Sequence, residues 1–177
     1  MNILSQPLKG CFVIQPSTIA DTRGIFVKTF HSARYSHLGL PTEWREEFYS
    51  ISANNVLRGM HLQLPPHDHD KMVFCIRGRA LDVALDLRRG KDFGTSASVE
   101  LSSHNHLMFF IARGVAHGFL SLADDTIMVY KTTSLHAVTH DVGILWNSFG
   151  FNWQTTTPVV SSRDQSFPSL AEFSSQF

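Results

Sequence analysis

A period-two alternation of apolar residues is the feature that most restricts what this chain can fold into. In "RALDVALDLR", leucine or valine occupies every second position from Leu81 to Leu87. Successive side chains of a strand point to opposite faces, so the pattern predicts a strand with one face turned inward. The apolar run "KMVFCIRG" comes directly before it and ends at Gly78. Together the two runs predict a tight hairpin over residues 77–79.

The same organisation recurs along the chain. The runs "HLMFFIARG" and "DTIMVYKTTS" also predict strands, and turn residues recur about every 8 to 12 positions, as is typical of a sandwich or barrel. Helical patterns are confined to "HSARYSHLG", which ends at Gly39, and to "PSLAEF". We therefore expect an all-β jelly-roll double sheet with a barrel mouth and short flanking helices, as one domain over residues 1–177. Small ligands commonly bind in such mouths.

Composition argues against nucleic-acid and membrane partners. The 177 residues carry a formal net charge of zero, and no basic run exceeds two residues. The sequence therefore has no basic segment of the kind that binds a nucleic-acid phosphate backbone. No segment approaches the roughly 20 apolar residues of a membrane span, and the start "MNILSQPLKG" lacks a signal-peptide pattern. Cys11 and Cys75 lie inside apolar runs, which predicts buried thiols. We expect a soluble cytoplasmic protein.

One hypothesis for the stretch "VLRGMHLQLPPHDHDK" is that its histidines bind a metal ion. His67 and His69 are two residues apart, so on a strand they would share a face, and His117 of "VAHGF" could add a third imidazole. This spacing resembles metal-binding cupins, but the positions that should supply their glutamate hold Met72 and Val73. The alternative is that "PPHDHD" is only a solvated turn, since proline and aspartate favour turns.

A proton-transfer site is the other hypothesis, and it depends on His61. An imidazole is well suited to act as a general base near neutral pH when a carboxylate fixes its tautomer. Asp164 of "SSRDQSFP" is a candidate carboxylate, and Lys71 could stabilise an oxyanion. Each also has an ordinary structural explanation: His61 as a core-edge histidine, Asp164 as a turn cap and Lys71 as a surface lysine.

The order of motifs separates these hypotheses. From Leu8 to Leu170 the chain resembles the dTDP-4-dehydrorhamnose 3,5-epimerase family, with these stretches in the same order: "DTRGIF", "VLRGMHLQLPP", "KMV", "GRALDVALDLRRGKDFG", "VAHGF", "VYKTTS", "ILWN" and "SSRD". The resemblance implies a cupin-type jelly roll, and a homodimer whose N-terminal strand reaches into the partner's sheet. It also implies that no metal or organic cofactor is needed.

The resemblance implies an epimerase of a nucleotide-diphosphate-linked 4-keto-6-deoxy sugar, acting at C3, C5 or both. The ketone acidifies the neighbouring hydrogens, so the reaction needs a base and a stabiliser of the enolate. His61 matches the family's base and Asp164 the aspartate that orients it. Lys71 matches the lysine near the enolate oxygen, and His117 matches a histidine that lines the same pocket. His136 occupies the position of the family's tyrosine acid.

The resemblance also implies which residues bind the substrate. Arg23 and Arg58 match arginines that hold the pyrophosphate, where a bidentate guanidinium fits well. Phe26 is a candidate stacking platform, with a core role as the alternative. Lys28 stands where the family usually has glutamate. In the stretch "EEFYSIS", Glu46 and Phe48 stand where the family usually has glutamine and asparagine, so the resemblance leaves the identity of the nucleotide base open.

Three functions follow from these observations. The leading one is the epimerase acting through His61 and Asp164. The alternatives are a metal-binding cupin that uses His67, His69 and His117, and a non-catalytic sugar-nucleotide binder that has lost its acid.

Overall fold

The fold is built almost entirely from β-strands. A computed structural model describes residues 1–177. The strands are β1 (Asn2–Leu8), β2 (Cys11–Gln15), β3 (Ser17–Asp21), β4 (Gly24–Lys28), β5 (Glu46–Ser52), β6 (Val56–Gln63), β7 (Lys71–Arg77), β8 (Arg79–Asp86), β9 (Ser96–Ser102), β10 (Met108–Ile111), β11 (Val115–Ser121), β12 (Thr126–Thr132), β13 (Asp141–Gly143) and β14 (Val159–Val160). The short helices are α1 (Ser32–His37) and α2 (Ser162–Gln165), with single 3-10 turns at Val138–His140 and Leu170–Glu172.

Two sheets pack face to face, which confirms the predicted all-β double sheet. The first has the order β1-β2-β10-β7-β12-β5, and the second has the order β13-β6-β11-β8-β9 with β14 beside β6. The helical patterns are confirmed as α1 and as the 3-10 turn at Leu170–Glu172. The hairpin of β3 and β4 pairs with no other strand. No helix in the chain has the length and apolarity that crossing a membrane requires.

The predicted hairpin over residues 77–79 is wrong. Strands β7 and β8 belong to different sheets and do not pair, so the chain crosses from one sheet to the other at Gly78. Gly78 has φ +74°, and a Cβ there would lie 2.6 Å from Thr126 Oγ1. A glycine permits this sharp change of direction, and the same residue would also suit a hairpin turn.

Strand β8 is buried on both faces, although its alternation predicts one buried face. Leu81, Val83 and Leu85 pack with Ile144 and Trp153 under the C-terminal segment, which covers the outer face of the second sheet. The opposite face points between the sheets, where Asp82 is 0% exposed. A buried carboxylate is costly without a hydrogen-bond partner, so Asp82 must be paired inside the molecule.

The two thiols behave as predicted. Cys11 and Cys75 are free and buried in the core between the sheets. Burial raises the pKa of each thiol to about 11, so neither is a reactive thiolate near neutral pH.

Candidate active site

A cavity of about 390 Å³ lies between the two sheets. Strands of both sheets contribute to its wall, so the cavity is the mouth of the jelly roll. Its lining residues are Glu46, Phe48, Ser50, Arg58, His61, Leu62, Gln63, His69, Lys71, His117, Phe119, Tyr130, Thr132, His136 and Asp141. The predicted pocket is therefore present, and it is rich in imidazoles and charged groups.

His61 and Asp164 meet although 103 residues separate them in the chain. His61 lies on β6, and Asp164 lies on α2, whose first turn is capped by the Ser161 hydroxyl accepting from the Asp164 N–H. The distance from His61 Nε2 to Asp164 Oδ1 is 2.9 Å. The structure thus brings together the two residues that the sequence predicted as base and orienting carboxylate.

The surroundings of Asp164 keep its carboxylate ionised. Burial would raise its pKa, but hydrogen bonds from His61, the Gly59 N–H and Ser161 outweigh burial and hold the pKa below its usual value. An ionised Asp164 accepts a hydrogen bond from His61 Nε2–H, which leaves Nδ1 as the unprotonated nitrogen. The Gly59 N–H donates to Asp164 Oδ2 at 3.0 Å. A Cβ at Gly59 would lie 2.5 Å from Gly118 Cα, so only glycine fits at this point of β6.

A second imidazole–carboxylate pair lies deeper in the cavity. The pairing of β11 with β6 places His117 opposite His61, and the pairing of β11 with β8 brings Asp82 near. Asp82 Oδ2 lies 2.9 Å from His117 Nε2, with both residues buried. Burial raises the pKa of Asp82 and lowers that of His117. The sequence reasoning assigned His117 to the pocket but missed Asp82, whose signal was a charge in the middle of an apolar strand.

Lys71 provides a positive charge in the same cavity. It begins β7, and its ammonium makes no hydrogen bond or ion pair with another side chain or with the backbone, so it is available to a ligand. Burial lowers the pKa of Lys71 to about 8, and the charges of Asp82 and Asp141 oppose that shift only in part. A desolvated ammonium of this kind is well suited to an oxyanion.

His136 lies at the cavity mouth in the loop after β12. Its Nε2 is 3.0 Å from Asp141 Oδ2, and its side chain is 52% exposed. Tyr130 also reaches the cavity, where its hydroxyl lies 2.9 Å from Ser50 Oγ and its ring stacks on Phe48. Burial raises the pKa of Tyr130, so its hydroxyl stays protonated. The sequence reasoning did not place Asp141 or Tyr130 in the cavity.

The predicted substrate-binding residues are divided between two places. Arg58 lines the cavity, and its Nε donates to Ser52 Oγ at 3.0 Å. Arg23, Phe26 and Lys28 lie on the separate hairpin of β3 and β4 and do not line the cavity of the same chain. Arg23 pairs there with Asp21 and leaves most of its side chain exposed.

The residues of the metal hypothesis do not form a ligand set. His67 and His69 lie in the loop between β6 and β7 and not on a strand, as the turn interpretation predicted. The turn is not simply solvated, however, because His69 lines the cavity and burial lowers the pKa of its imidazole to about 3. The His67 ring lies 4.5 Å from that of His140, whereas His69 Nδ1 lies 3.1 Å from the Gln63 amide. His117 is occupied by Asp82, and no group of three or more histidine, cysteine or acidic side chains is arranged to hold a metal ion.

Comparisons with known proteins agree with this geometry. The sequence model of the dTDP-4-dehydrorhamnose 3,5-epimerase family matches residues 5–172. The dTDP-4-dehydrorhamnose 3,5-epimerase of Escherichia coli is 35% identical over 177 residues, covering 97% of this chain and 96% of that protein.

Two solved structures extend the similarity to the fold. One is dTDP-6-deoxy-D-glucose-3,5-epimerase of Legionella pneumophila in complex with dTDP-4-keto-L-rhamnose, with 30% identity, a TM-score of 0.92 and coverage of 98% of this chain and 94% of that one. The other is NovW of Streptomyces spheroides, a 4-keto-6-deoxy sugar epimerase, with 30% identity, a TM-score of 0.91 and coverage of 97% and 88%. The match runs through nearly the whole chain, and the chain belongs to the dTDP-4-dehydrorhamnose 3,5-epimerase family.

Proposed function

We propose that the protein is an isomerase that epimerises a nucleotide-diphosphate-linked 4-keto-6-deoxy sugar in deoxysugar biosynthesis. The observation that carries the proposal is the His61–Asp164 pair, which opens onto a cavity that also holds an unpaired lysine. Its relatives are named for dTDP sugars, and the Legionella enzyme binds dTDP-4-keto-L-rhamnose, so a dTDP-linked sugar is the first substrate to test.

His61 acts as the base in this proposal. Asp164 accepts from Nε2–H, so Nδ1 carries the free electron pair, and in this proposal Nδ1 removes a proton from the carbon next to the C4 ketone. The electrons of the broken C–H bond form the enolate. Asp164 then stabilises the imidazolium that His61 becomes.

Lys71 stabilises the enolate oxygen. Its ammonium has no partner in the chain, and a charge that develops at O4 would meet it in a partly desolvated site. His117, fixed by Asp82, lines the same wall as a positioned imidazole.

His136 returns the proton on the opposite face. Inversion requires a donor on the other side of the ring from His61, and His136 lies on a different segment of the cavity wall. Proton delivery at C3, at C5 or at both then depends on which carbons the bound sugar presents to the two histidines. Arg58 holds the pyrophosphate at the cavity wall.

The experiment that tests this function follows deuterium by NMR. We expect the protein, incubated in deuterium oxide with dTDP-4-keto-6-deoxyglucose, to incorporate deuterium next to the ketone and to form inverted product. CDP- and GDP-linked counterparts test the base recognition that Lys28 and Glu46 leave open. Deuterium at C3 alone would assign a 3-epimerase, and tight binding without exchange at either carbon would contradict catalysis and support the binder.

The residues of the hairpin suggest a homodimer. Arg23, Phe26 and Lys28 do not line the cavity of their own chain, yet the family resemblance assigns them to substrate binding. The hairpin exposes Ile19, Ile25 and Phe26, an apolar surface that a second chain would cover. We therefore propose a homodimer with N-terminal strand exchange, in which the hairpin of one chain completes the site of the other. The buried free thiols are compatible with a reducing cytoplasm.

Subunit complementation tests whether the hairpin acts between chains. Arg23→Ala and His61→Gln proteins should each be nearly inactive alone, but mixing them under conditions of subunit exchange should restore activity to about a quarter of the wild-type level, because half the dimers are mixed and each holds one intact site. Two His61→Gln samples mixed together are the control. A mixture no more active than its parents would place Arg23 and His61 in the same chain's site.

A further inference from the structure

The segment around His136 is fixed more firmly than a surface loop usually is. The Ala137 N–H donates to Gln63 Oε1, and Gln63 Nε2 lies 3.2 Å from the Leu135 carbonyl oxygen. The His136 N–H donates to Glu46 Oε2 at 2.9 Å. Loops that follow strands are commonly mobile, but here the backbone is bound on both sides of one histidine.

The side chain that fixes this segment also comes from the strand of the base. Gln63 lies two residues after His61 on β6 and is only 4% exposed. The pairing of β13 with β6 places Asp141 opposite Gln63 and Gly143 opposite His61. The position of His136 is therefore set relative to His61 by a single pair of hydrogen-bonded strands.

Asp141 holds the ring of His136. Its Oδ2 lies 3.0 Å from His136 Nε2 and 2.8 Å from Arg163 Nη2, and its side chain is 17% exposed. Arg163 precedes Asp164 on α2, so consecutive residues of one helix bind the carboxylate of one pair and supply the carboxylate of the other. Two of the imidazole–carboxylate pairs, His61–Asp164 and His136–Asp141, are thus joined through α2.

We propose that Asp141 is a positioning residue for His136, and that the His136–Asp141 pair delivers the proton that completes inversion. The inference rests on the proposed epimerase function. Asp141 accepts from Nε2–H, which leaves Nδ1 as the nitrogen that exchanges protons with the substrate. Protonated Nδ1–H gives its proton to the enolate carbon, the new C–H bond takes the enolate electron pair, and the C4 ketone re-forms. Water then reprotonates His136 and accepts the proton held by His61.

This arrangement makes a specific prediction about the products in deuterium oxide. A base without a donor on the other face still removes and returns protons on its own side, so deuterium enters with retained configuration. His136→Gln should therefore lower the formation of inverted product by about 100-fold or more, while exchange with retention continues. Asp141→Asn should show the same signature, with a loss of about 10-fold or more in kcat and little change in KM.

A double-mutant cycle separates positioning from structure. In the His136→Gln background, Asp141→Asn should change inversion less than about two-fold, because the residue that it positions is gone. Asp141→Glu keeps a carboxylate and should recover most of the activity. Asp125→Asn, which removes a surface carboxylate paired with Arg77, is the matched control and should leave both exchange and inversion unchanged.

The outcomes distinguish the inference from the function on which it rests. Two results would overturn the positioning role and show that Asp141 only supports the fold. One is an equal effect of Asp141→Asn on inversion with and without His136. The other is a loss of deuterium exchange together with inversion. A wild-type protein that shows neither exchange nor inversion with any of the nucleotide sugars would overturn both proposals.

Discussion

Replacing His61 by glutamine should abolish deuterium uptake and product formation together, with a fall in rate of about 10²- to 10⁴-fold. In the wild-type protein Asp164 accepts from His61 Nε2 at 2.9 Å, and Nδ1 is the nitrogen left to act as the proposed base. A glutamine amide has no nitrogen that accepts a proton near neutral pH, so the first step stops. Exchange with retention and inversion both require the enolate that this step forms, so both should be lost together.

This result differs from the one expected at His136, where exchange continues and only inversion falls. The matched control is His104→Gln, since His104 is exposed in the turn between β9 and β10 and does not line the cavity. The measurement is the NMR exchange assay with each variant at saturating substrate. Deuterium uptake by His61→Gln at the wild-type rate would show that another group is the base.

The residues that line the candidate site could in part be predicted because their motifs are local in sequence. His61, Lys71 and His117 each lie within a short stretch, and the structure places all three in one cavity. Asp164 depended on a motif far along the chain, and the contact with His61 forms because α2 packs beside β6. Matching motif order therefore located the site although no single spacing could.

The features that the sequence did not predict depend on tertiary structure. The alternation of β8 predicts one buried face, but it does not show which layers of the structure cover the strand. The face of Asp82 points between the sheets, and the C-terminal segment covers the face of Leu81 and Val83. The hairpin at Gly78 was wrong for the same reason, since periodicity does not tell which sheet a strand joins. Asp141 and Gln63 fix a loop whose path is set by strand pairing, and no local pattern marks them.

Replacing Lys71 by methionine should lower the rate of enolate formation by about 10²- to 10³-fold, the cost usually seen when an oxyanion loses its stabilising group. Methionine keeps much of the length and apolar character of the lysine stem while it removes the charge, so the cavity should keep its shape. The matched control is Lys91→Met, because Lys91 is exposed in a turn outside the cavity. An unchanged rate for Lys71→Met would assign enolate stabilisation to another group.

The pH dependence of the wild-type enzyme is a second, independent test of the role of the Lys71 charge. Burial lowers the pKa of Lys71 to about 8, so its ammonium is present below that pH and is lost as the pH rises through it. A neutral amine cannot offset the negative charge at the enolate oxygen. Because kcat/KM reports the pKa values of the free enzyme, kcat/KM should fall on the alkaline side of about pH 8. In Lys71→Met no ammonium remains to titrate, so the alkaline decline should disappear from a profile that is already low. A decline that persists unchanged in Lys71→Met would belong to another group and would separate the charge of Lys71 from catalysis.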